Sequence, residues 1–249
     1  MKTKTWHNWA LVFMFVVVMA VRFAMPAGLA KPFVSIALAV VFLIFIWWIG
    51  RKDTPADKMT TAILTDEKGR LESLLKKYPE WVNARDDDDG SPLSTAVLFD
   101  KPKMAQVLIE HGADVNARGI TGPFLHMALV FERKRIFDLM LENGADVNAP
   151  GDLGTILHVA VLKHDLQAMG KLLDRGADVN ARNSEGNTPL HLVASIEDQD
   201  KAIEIMGFLV QRGASIDTRN TVGETPLDAA ARLKRDKVVE YLRSQSVAQ

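Results

Sequence analysis

The stretch "DVNARNSEGNTPLHLVA" (Asp178–Ala194) combines several signals of local structure in one run. The polar residues of Asn183–Asn187 favour a tight turn. Thr188 and Pro189 then supply a hydroxyl N-cap and a proline at the first helical position, where its missing N–H costs nothing. The apolar residues that follow are typical of a short buried helix. The stretch therefore predicts a turn that leads directly into a helix.

The same pattern recurs at a nearly constant interval. The leucine of the stretch recurs at intervals of 32, 32, 33 and 37 residues, as Leu93, Leu125, Leu157, Leu190 and Leu227. A second marker, GADVN, occurs three times and once loosely as GASID, with its glycine at Gly112, Gly144, Gly176 and Gly213. Two coupled markers that share one period indicate a solenoid of stacked units.

Each unit is expected to contain a second helix before the GADVN marker. The segment KMAQVLIE (Lys103–Glu110) has apolar residues spaced to face a neighbouring helix. The marker glycine can adopt the left-handed conformation that ends a helix. We therefore interpret GADVN as a structural joint, a helix stop followed by the base of a turn, and not as a ligand-binding motif.

The stretch Asp178–Ala194 resembles the ankyrin repeat, a helix–turn–helix unit with a hairpin, a period of about 33 residues and a T-P-L-H-x-A signature. The resemblance covers about residues 60–245. Leu64–Arg85 resembles an opening cap, and Thr225–Leu242 resembles a closing cap. The resemblance implies an all-α ankyrin-repeat solenoid, with an N-terminal cap and five repeats over 60–245 and a tail over 246–249.

Two departures from the repeat affect its loops. The second and third units read GPFLH and GTILH and are each one residue short before the leucine, so we expect tighter turns. The fourth unit gains four residues within Ser195–Lys201, where we expect a longer link between its two helices.

The first fifty residues differ sharply in composition from the rest of the chain. They contain no Asp or Glu and two apolar runs, Trp9–Val21 and Phe33–Ile49. We predict a short tail (1–8), a transmembrane hairpin (9–50, with helices at about 9–25 and 32–49) and a linker (51–59). Basic residues favour cytoplasmic ends for the hairpin, with Lys2, Lys4, Arg51, Lys52 and Lys58 on one side against Arg22 and Lys31 on the other.

This topology predicts a protein of the bacterial inner membrane with cytoplasmic repeats. The alternative for the first run is a cleaved signal peptide, which leaves the second run as an anchor and the repeats cytoplasmic. If only the second run crosses the membrane, the repeats are periplasmic.

Composition and motifs exclude several classes of function. The chain has no cysteine, which excludes disulfides and Cys-ligated zinc. No basic stripe suggests nucleic-acid binding, and no phosphate-binding or hydrolase motif is present. We therefore expect a protein that is not an enzyme, with no cofactor, no metal and no small-molecule substrate.

Two groups of residues resemble metal sites but are interpreted structurally. His126, His158 and His191 share one register, and the resemblance implies that this histidine holds the turn of one repeat to the next by hydrogen bonds. Stacked units about 10 Å apart are too distant for three imidazoles to share one zinc. The run DDDDG (Asp86–Gly90) lacks the first ligand and the glutamate of a calcium loop, so we interpret it as a solvated turn.

The candidate function is recognition of a protein partner. The resemblance implies a binding surface along the concave face, just after the x-A part of the signature, and apolar residues are frequent there. The candidate contacts are Leu98, Phe99, Val130, Phe131, Leu162, Lys163 and Ile196. Phe99 and Phe131 are the expected anchors, because aromatic residues dominate interface energetics. The alternative is that one residue of each pair packs between helices.

We therefore predict a membrane-tethered ankyrin-repeat scaffold or adaptor. One alternative is an immunity or inhibitor protein that neutralises a toxin or an enzyme. The other is a subunit of a channel, transporter or sensor, although Arg22 is the only charged residue within the apolar runs and their immediate continuation.

Overall fold

The computed structural model describes residues 55–85, 90–119 and 122–246. The predicted tail (1–8) and transmembrane hairpin (9–50) lie outside the described residues, as do the aspartates at 86–89. Among the described helices, none is both long and apolar enough to cross a membrane.

The described residues form a cap and five units, each built from a first and a second helix. A short 3-10 helix, Pro79–Asn83, follows the cap. The first helices, from the cap to unit 5, are Pro55–Leu64, Pro92–Leu98, Phe124–Val130, Ile156–Leu162, Pro189–Val193 and Pro226–Arg232. The second helices, in the same order, are Lys68–Lys77, Pro102–Glu110, Lys134–Glu142, Leu166–Asp174, Gln199–Gln211 and Asp236–Ser246.

The repeat domain begins earlier than the sequence predicts. The first cap helix starts at Pro55, inside the segment predicted as a linker (51–59). Met59 is completely buried, because it packs into the hydrophobic core beneath unit 1. The predicted boundary at residue 60 is therefore wrong, and the described part of that segment belongs to the domain.

The core is a continuous column between the first and second helices. The signature leucines of units 1 to 4 are buried, with exposed fractions of 0–2% for Leu93, Leu125, Leu157 and Leu190. Burial of one such side chain contributes about 2–3 kcal/mol. Each first helix contacts the first helix of the next unit, so the stability of one unit depends on its neighbours.

Helix starts follow the predicted capping chemistry. The Ser91 hydroxyl accepts a hydrogen bond from the Ser94 amide, and Thr225 does the same for the Asp228 amide. Pro92 and Pro226 occupy the first helical positions that follow. The marker glycines end the second helices with positive φ, for example +83° at Gly176. The hydroxyl caps are confirmed at Ser91 and Thr225, and the proline positions and glycine helix stops are confirmed as well. At Thr188 the hydroxyl pairs instead with His191 Nδ1, and Pro189 stands at the start of the helix as predicted.

The GADVN marker also joins one unit to the next. The side-chain amide of Asn148 donates to the Gly176 carbonyl at 3.0 Å, and its oxygen accepts from the Asp178 amide at 2.8 Å. Asn180 makes the same pair of bonds to Gly213 and Ser215. The asparagine of each marker therefore holds the helix stop of the following unit in register.

The shortened hairpins are tighter, as predicted. Gly119 pairs with Gly122, and Gly151 pairs with Gly154 through hydrogen bonds of 2.8 and 3.1 Å, so only two residues form each loop. In unit 4 the corresponding bond joins Asn183 and Asn187 and encloses three residues. The one-residue deletion in units 2 and 3 therefore shortens the hairpin loop and leaves the following helix intact.

The four extra residues of unit 4 do not simply lengthen the link. Its second helix, Gln199–Gln211, has 13 residues, whereas those of units 1 to 3 have nine. Asp198 caps this helix by accepting from the amides of Asp200 and Lys201. The insertion therefore adds about one turn of helix.

Candidate interaction surface

Exposed apolar side chains of the described residues concentrate at one edge of the array. We define the apolar row as Leu64, Leu98, Phe99, Val130, Phe131 and Leu162, which are 40–56% exposed. Only two other large apolar side chains among the described residues are as exposed, Leu153 and Val222, and both lie at hairpin tips. Such a concentration is typical of an interaction site.

The row arises from the way each first helix ends. In unit 1 every residue of the first helix is buried except the last, Leu98, and Phe99 caps the helix. The next residue, Asp100, has φ of +51°, which turns the chain sharply into the second helix. Val130 and Phe131 are followed in the same way by Glu132, with φ of +60°. The sharp turn leaves no neighbouring chain to cover the apolar residues.

The row lies at the C-terminal ends of the first helices, at the edge that is farthest from the hairpins. The seven-residue first helices of units 2 and 3 begin at the hairpins and are about 10 Å long, so their last residues are one helix length away. The sequence predicted contacts along the concave face itself. The described structure places these residues on the rim formed by the helix–helix turns.

Ion pairs between units hold the turns of the row in place. Lys101 pairs with Asp66 at 3.3 Å, Arg133 approaches Asp100 at 4.0 Å, and Lys163 pairs with Glu132 at 2.8 Å. The hydrogen bond from Lys163, and then its charge, lower the pKa of the Glu132 carboxyl.

Two of these cations also bind backbone at the preceding turn. Arg133 donates to the Leu98 carbonyl at 3.0 Å, and Lys163 donates to the Val130 carbonyl at 3.2 Å. Both carbonyls belong to the last residue of a first helix, where no intrahelical donor remains. Lys163, one of the predicted contacts, therefore positions the row in addition to lying beside it.

The prediction that Ile196 belongs to this surface is wrong. Its side chain is only 6% exposed and packs in the core. The first helix of unit 4 ends at Val193 after five residues, and the Ile196 amide bonds to the Val193 carbonyl. The chain therefore turns inward before it reaches the edge, and the row stops after unit 3.

Leu64 also belongs to the row, although it is not among the predicted contacts. It ends the first helix of the cap and precedes Asp66, whose φ is +59°. The signal was present in the sequence, because an acidic residue follows two positions after Leu64, Leu98 and Val130 alike. The atypical sequence of the cap obscured this register.

Two of the three histidines in register connect successive units, as the resemblance implies. His158 Nε2 lies 3.0 Å from the Asn187 carbonyl, and His191 Nε2 lies 3.0 Å from the Glu224 carbonyl. Each Nδ1 accepts from the amide of a capping threonine, Thr155 or Thr188. These bonds require the neutral imidazole with hydrogen on Nε2. Burial lowers the pKa of both side chains, in agreement with that form.

His126 is the exception. Its Nε2 is buried without a hydrogen-bond partner within the described part of the chain. Pro123 stands at its helix cap, where the other units have serine or threonine, and proline has no N–H to donate. Burial lowers the pKa of His126 to about 4. The shortened hairpin of unit 3 brings Gly151 against the ring, which leaves a close contact in place of the inter-unit bond.

A cavity of about 200 Å³ opens beside the row between units 2 and 3. Its apolar walls include Leu129, Phe137 and Ala168. Its charged lining combines the cations Lys134 and Lys171 with the carboxylates Glu132, Asp138 and Asp165. A cavity of about 150 Å³ can hold a benzene molecule, so this one has room for one apolar side chain. A second cavity of about 350 Å³ lies between units 4 and 5, away from the row.

Comparisons with known proteins agree with this architecture. Residues 157–248 match the family described as "Ankyrin repeats (3 copies)", and residues 88–117 match "Ankyrin repeat". Neither match includes residues 118–156, where the hairpins are shortened, although the described structure has the same helix pairs there. The chain therefore contains ankyrin repeats over residues 88–117 and 157–248.

A solved structure supports the same fold. The crystal structure of EF0377, an ankyrin repeat protein, superposes with a TM-score of 0.67 over 76% of this chain and 97% of that chain. The two sequences are 23% identical, so this likeness concerns the fold alone. No curated protein sequence matches the chain. Ankyrin repeats form protein–protein interaction modules and are typically scaffolds without enzymatic activity.

Proposed function

We propose that this protein is a membrane-tethered recognition module which binds a protein partner through the apolar row. The observation that carries the proposal is the concentration of exposed apolar side chains at one edge of the first four helix pairs. Phe99 and Phe131, 56% and 45% exposed, are the proposed anchors. Recognition is the whole mechanism, and no bond is made or broken.

The row satisfies the physical requirements of such a surface. Its turns are fixed by ion pairs and by bonds to backbone carbonyls, so little conformational entropy is lost when a partner binds. Aromatic side chains supply large contact area with few rotatable bonds. The flanking charges can form a polar rim around the apolar centre.

The tether is supported by the sequence before Pro55. The apolar runs Trp9–Val21 and Phe33–Ile49 contain no charged residue, and basic residues lie next to both of their outer ends. We propose that they anchor the chain in the bacterial inner membrane with the repeats in the cytoplasm. Confinement to one membrane raises the effective concentration of the module for partners in or near that membrane.

The proposal is tested by fractionation and capture in the same cells. The full chain is expected to sediment with membranes, whereas residues 55–249 expressed alone are expected to stay in the soluble fraction. After chemical crosslinking, Phe99→Asp with Phe131→Asp should abolish recovery of the partner while the melting curve of the protein is retained. Each charge is placed on an exposed side chain, so folding should change by less than about 1 kcal/mol.

The matched control is Leu153→Asp with Val222→Asp. These residues are 53% and 76% exposed but lie at hairpin tips, outside the row. The control should capture the partner as the unaltered protein does. Undiminished capture by a folded Phe99/Phe131 double variant would overturn the assignment of the row.

A further inference from the structure

The spacing of the apolar row matches one kind of secondary structure in a partner. Leu98, Val130 and Leu162 occupy equivalent positions in three stacked units, and packed helices lie about 10 Å apart. Seven residues of α-helix advance about 10.5 Å, which returns a side chain to the same face at each unit. Three residues of an extended strand advance about 10 Å, but successive contacts would then fall on opposite faces.

The cavity beside the row adds a place for one side chain of such a helix. Its walls combine the first and second helices of unit 2 with the second helix of unit 3, next to the turn that carries Phe131. A row of shallow contacts with one deeper pocket is the arrangement that anchors an amphipathic helix in a groove. The row from Leu64 to Leu162 spans three intervals, which corresponds to about 20 residues of helix.

Charge distinguishes the two sides of the row. At the turns, Asp66, Asp100 and Glu132 each face a cation of the following unit. At the start of the second helices, the exposed cations Lys103, Lys134 and Arg135 make no ion pair with any residue in the described ranges. Cations in the first turn of a helix are opposed by the helix dipole, so fold stability gives no reason for them.

We propose that the occupant of the row is an amphipathic helix of the partner protein. Its apolar residues recur every seven positions, and its carboxylates line the flank that faces Lys103, Lys134 and Arg135. This inference rests on the proposed function, because it specifies the chemistry of the partner at the same surface.

An anionic lipid surface fits the row less well. The carboxylates of Asp66, Asp100 and Glu132 stand at the turns themselves, with side chains 55–68% exposed. A flat layer of anionic headgroups would meet these carboxylates together with the cations. A helix can place its acidic flank on one side only, where the cations are unpaired.

The inference is tested with two synthetic helices of about 21 residues, or three heptads. Both carry leucine at the heptad core positions, and one flank is glutamate in the first peptide and lysine in the second. Binding of each labelled peptide to the full chain is measured by fluorescence anisotropy. The glutamate peptide should bind about tenfold more tightly, since three rim charge pairs are gained, and this difference should shrink at high salt.

Three variants determine which part of the surface is responsible. Phe99→Asp with Phe131→Asp should lose both peptides, whereas Leu153→Asp with Val222→Asp should bind them unchanged. Lys134→Glu with Arg135→Glu should reverse the preference in favour of the lysine peptide. All four of these exposed apolar positions and both cations lie on the surface, so folding is retained and is verified by thermal melting.

The outcomes separate this inference from the proposed function. Equal affinity for the two peptides, or no binding of either, would overturn the acidic-helix inference even if the natural partner still requires Phe99 and Phe131. Binding of phosphatidylglycerol vesicles that is lost in the Phe99/Phe131 variant, without peptide binding, would assign the row to a lipid surface instead. Partner capture that does not depend on Phe99 and Phe131 would defeat the proposed function itself.

Discussion

At the scale of single residues, one asparagine in the turn after each unit's second helix binds the end of the second helix in the next unit. Asn83, Asn116, Asn148 and Asn180 occupy this position, and each binds backbone of the following unit. The Asn148 side chain supplies a hydrogen-bond partner to both the Gly176 carbonyl and the Asp178 amide. The side chain therefore acts across units, although the motif is contiguous in sequence.

We expect Asn148→Ala to lower the free energy of unfolding by about 1–2 kcal/mol, since two hydrogen bonds between units are lost. Asn143→Ala is the control, because the Asn143 side chain bonds only to the Leu139 carbonyl of its own helix. Thermal and urea denaturation measure both variants. Equal losses in the two variants would show that the bonds between units contribute nothing special.

His126 should make the array sensitive to acid. Its folded pKa of about 4 lies below the ordinary value of 6.5, so the unfolded chain binds more protons between these pH values. Neutral His126 therefore makes its full contribution to the free energy of unfolding above about pH 6.5. As pH falls towards 4, the free energy of unfolding decreases by on the order of 3 kcal/mol.

The measurement is the midpoint of thermal unfolding between pH 7 and pH 4 for the unaltered protein and His126→Leu. We expect a shallower decline in the variant, because the buried imidazole no longer has to take up a proton. His164→Leu, which removes an exposed histidine, should keep the steep decline. The same steepness in all three proteins would contradict the role assigned to His126.

At the scale of elements, the shortened hairpin at Gly151–Gly154 and the buried side chain of His126 constrain each other. A Cβ at Gly151 would lie 2.5 Å from His126 Nδ1 and 2.7 Å from the adjacent ring carbon. The ring is buried and cannot move away without disturbing the first helix of unit 2. The two-residue loop is therefore compatible with this histidine only because the residue in contact is glycine.

We expect Gly151→Ala to destabilise the protein by about 2 kcal/mol or more, the range for overpacking of a buried site. Gly69→Ala is the matched comparison, because Gly69 lies in the second cap helix with no atom within 4 Å of its added Cβ. That variant should stabilise the protein by about 0.5–1 kcal/mol. A tolerated alanine at position 151 would mean that the hairpin can move away from the ring.

At the scale of the whole molecule, sequence periodicity predicts the architecture and much less of the surface. The intervals of 32 and 33 residues and the two coupled markers determine the number of units and the burial of their leucines. The repeat also predicts the equivalent positions of Leu98, Val130 and Leu162, which are exposed in the structure. The sequence does not predict the asparagine bonds between units. The motif shows which residues recur within one unit, but not which backbone groups of the next unit they contact.

The errors have physical causes of the same kind. Ile196 was misplaced because an insertion changes where a short helix ends, and a shift of one or two residues moves a side chain from the edge to the core. Leu64 was missed because the cap lacks the markers that define the register. The rim position of the row depends on the length of the first helices, which no residue type specifies.

The most direct test of the central claim is site-specific crosslinking of the full chain in its native cells. A photoreactive amino acid is placed at Phe131 in one protein and at Val222 in another, and both are irradiated. Recognition through the row predicts one discrete adduct from position 131 in the membrane fraction and none from position 222. The absence of an adduct at 131, or the same adduct at both positions, would contradict it.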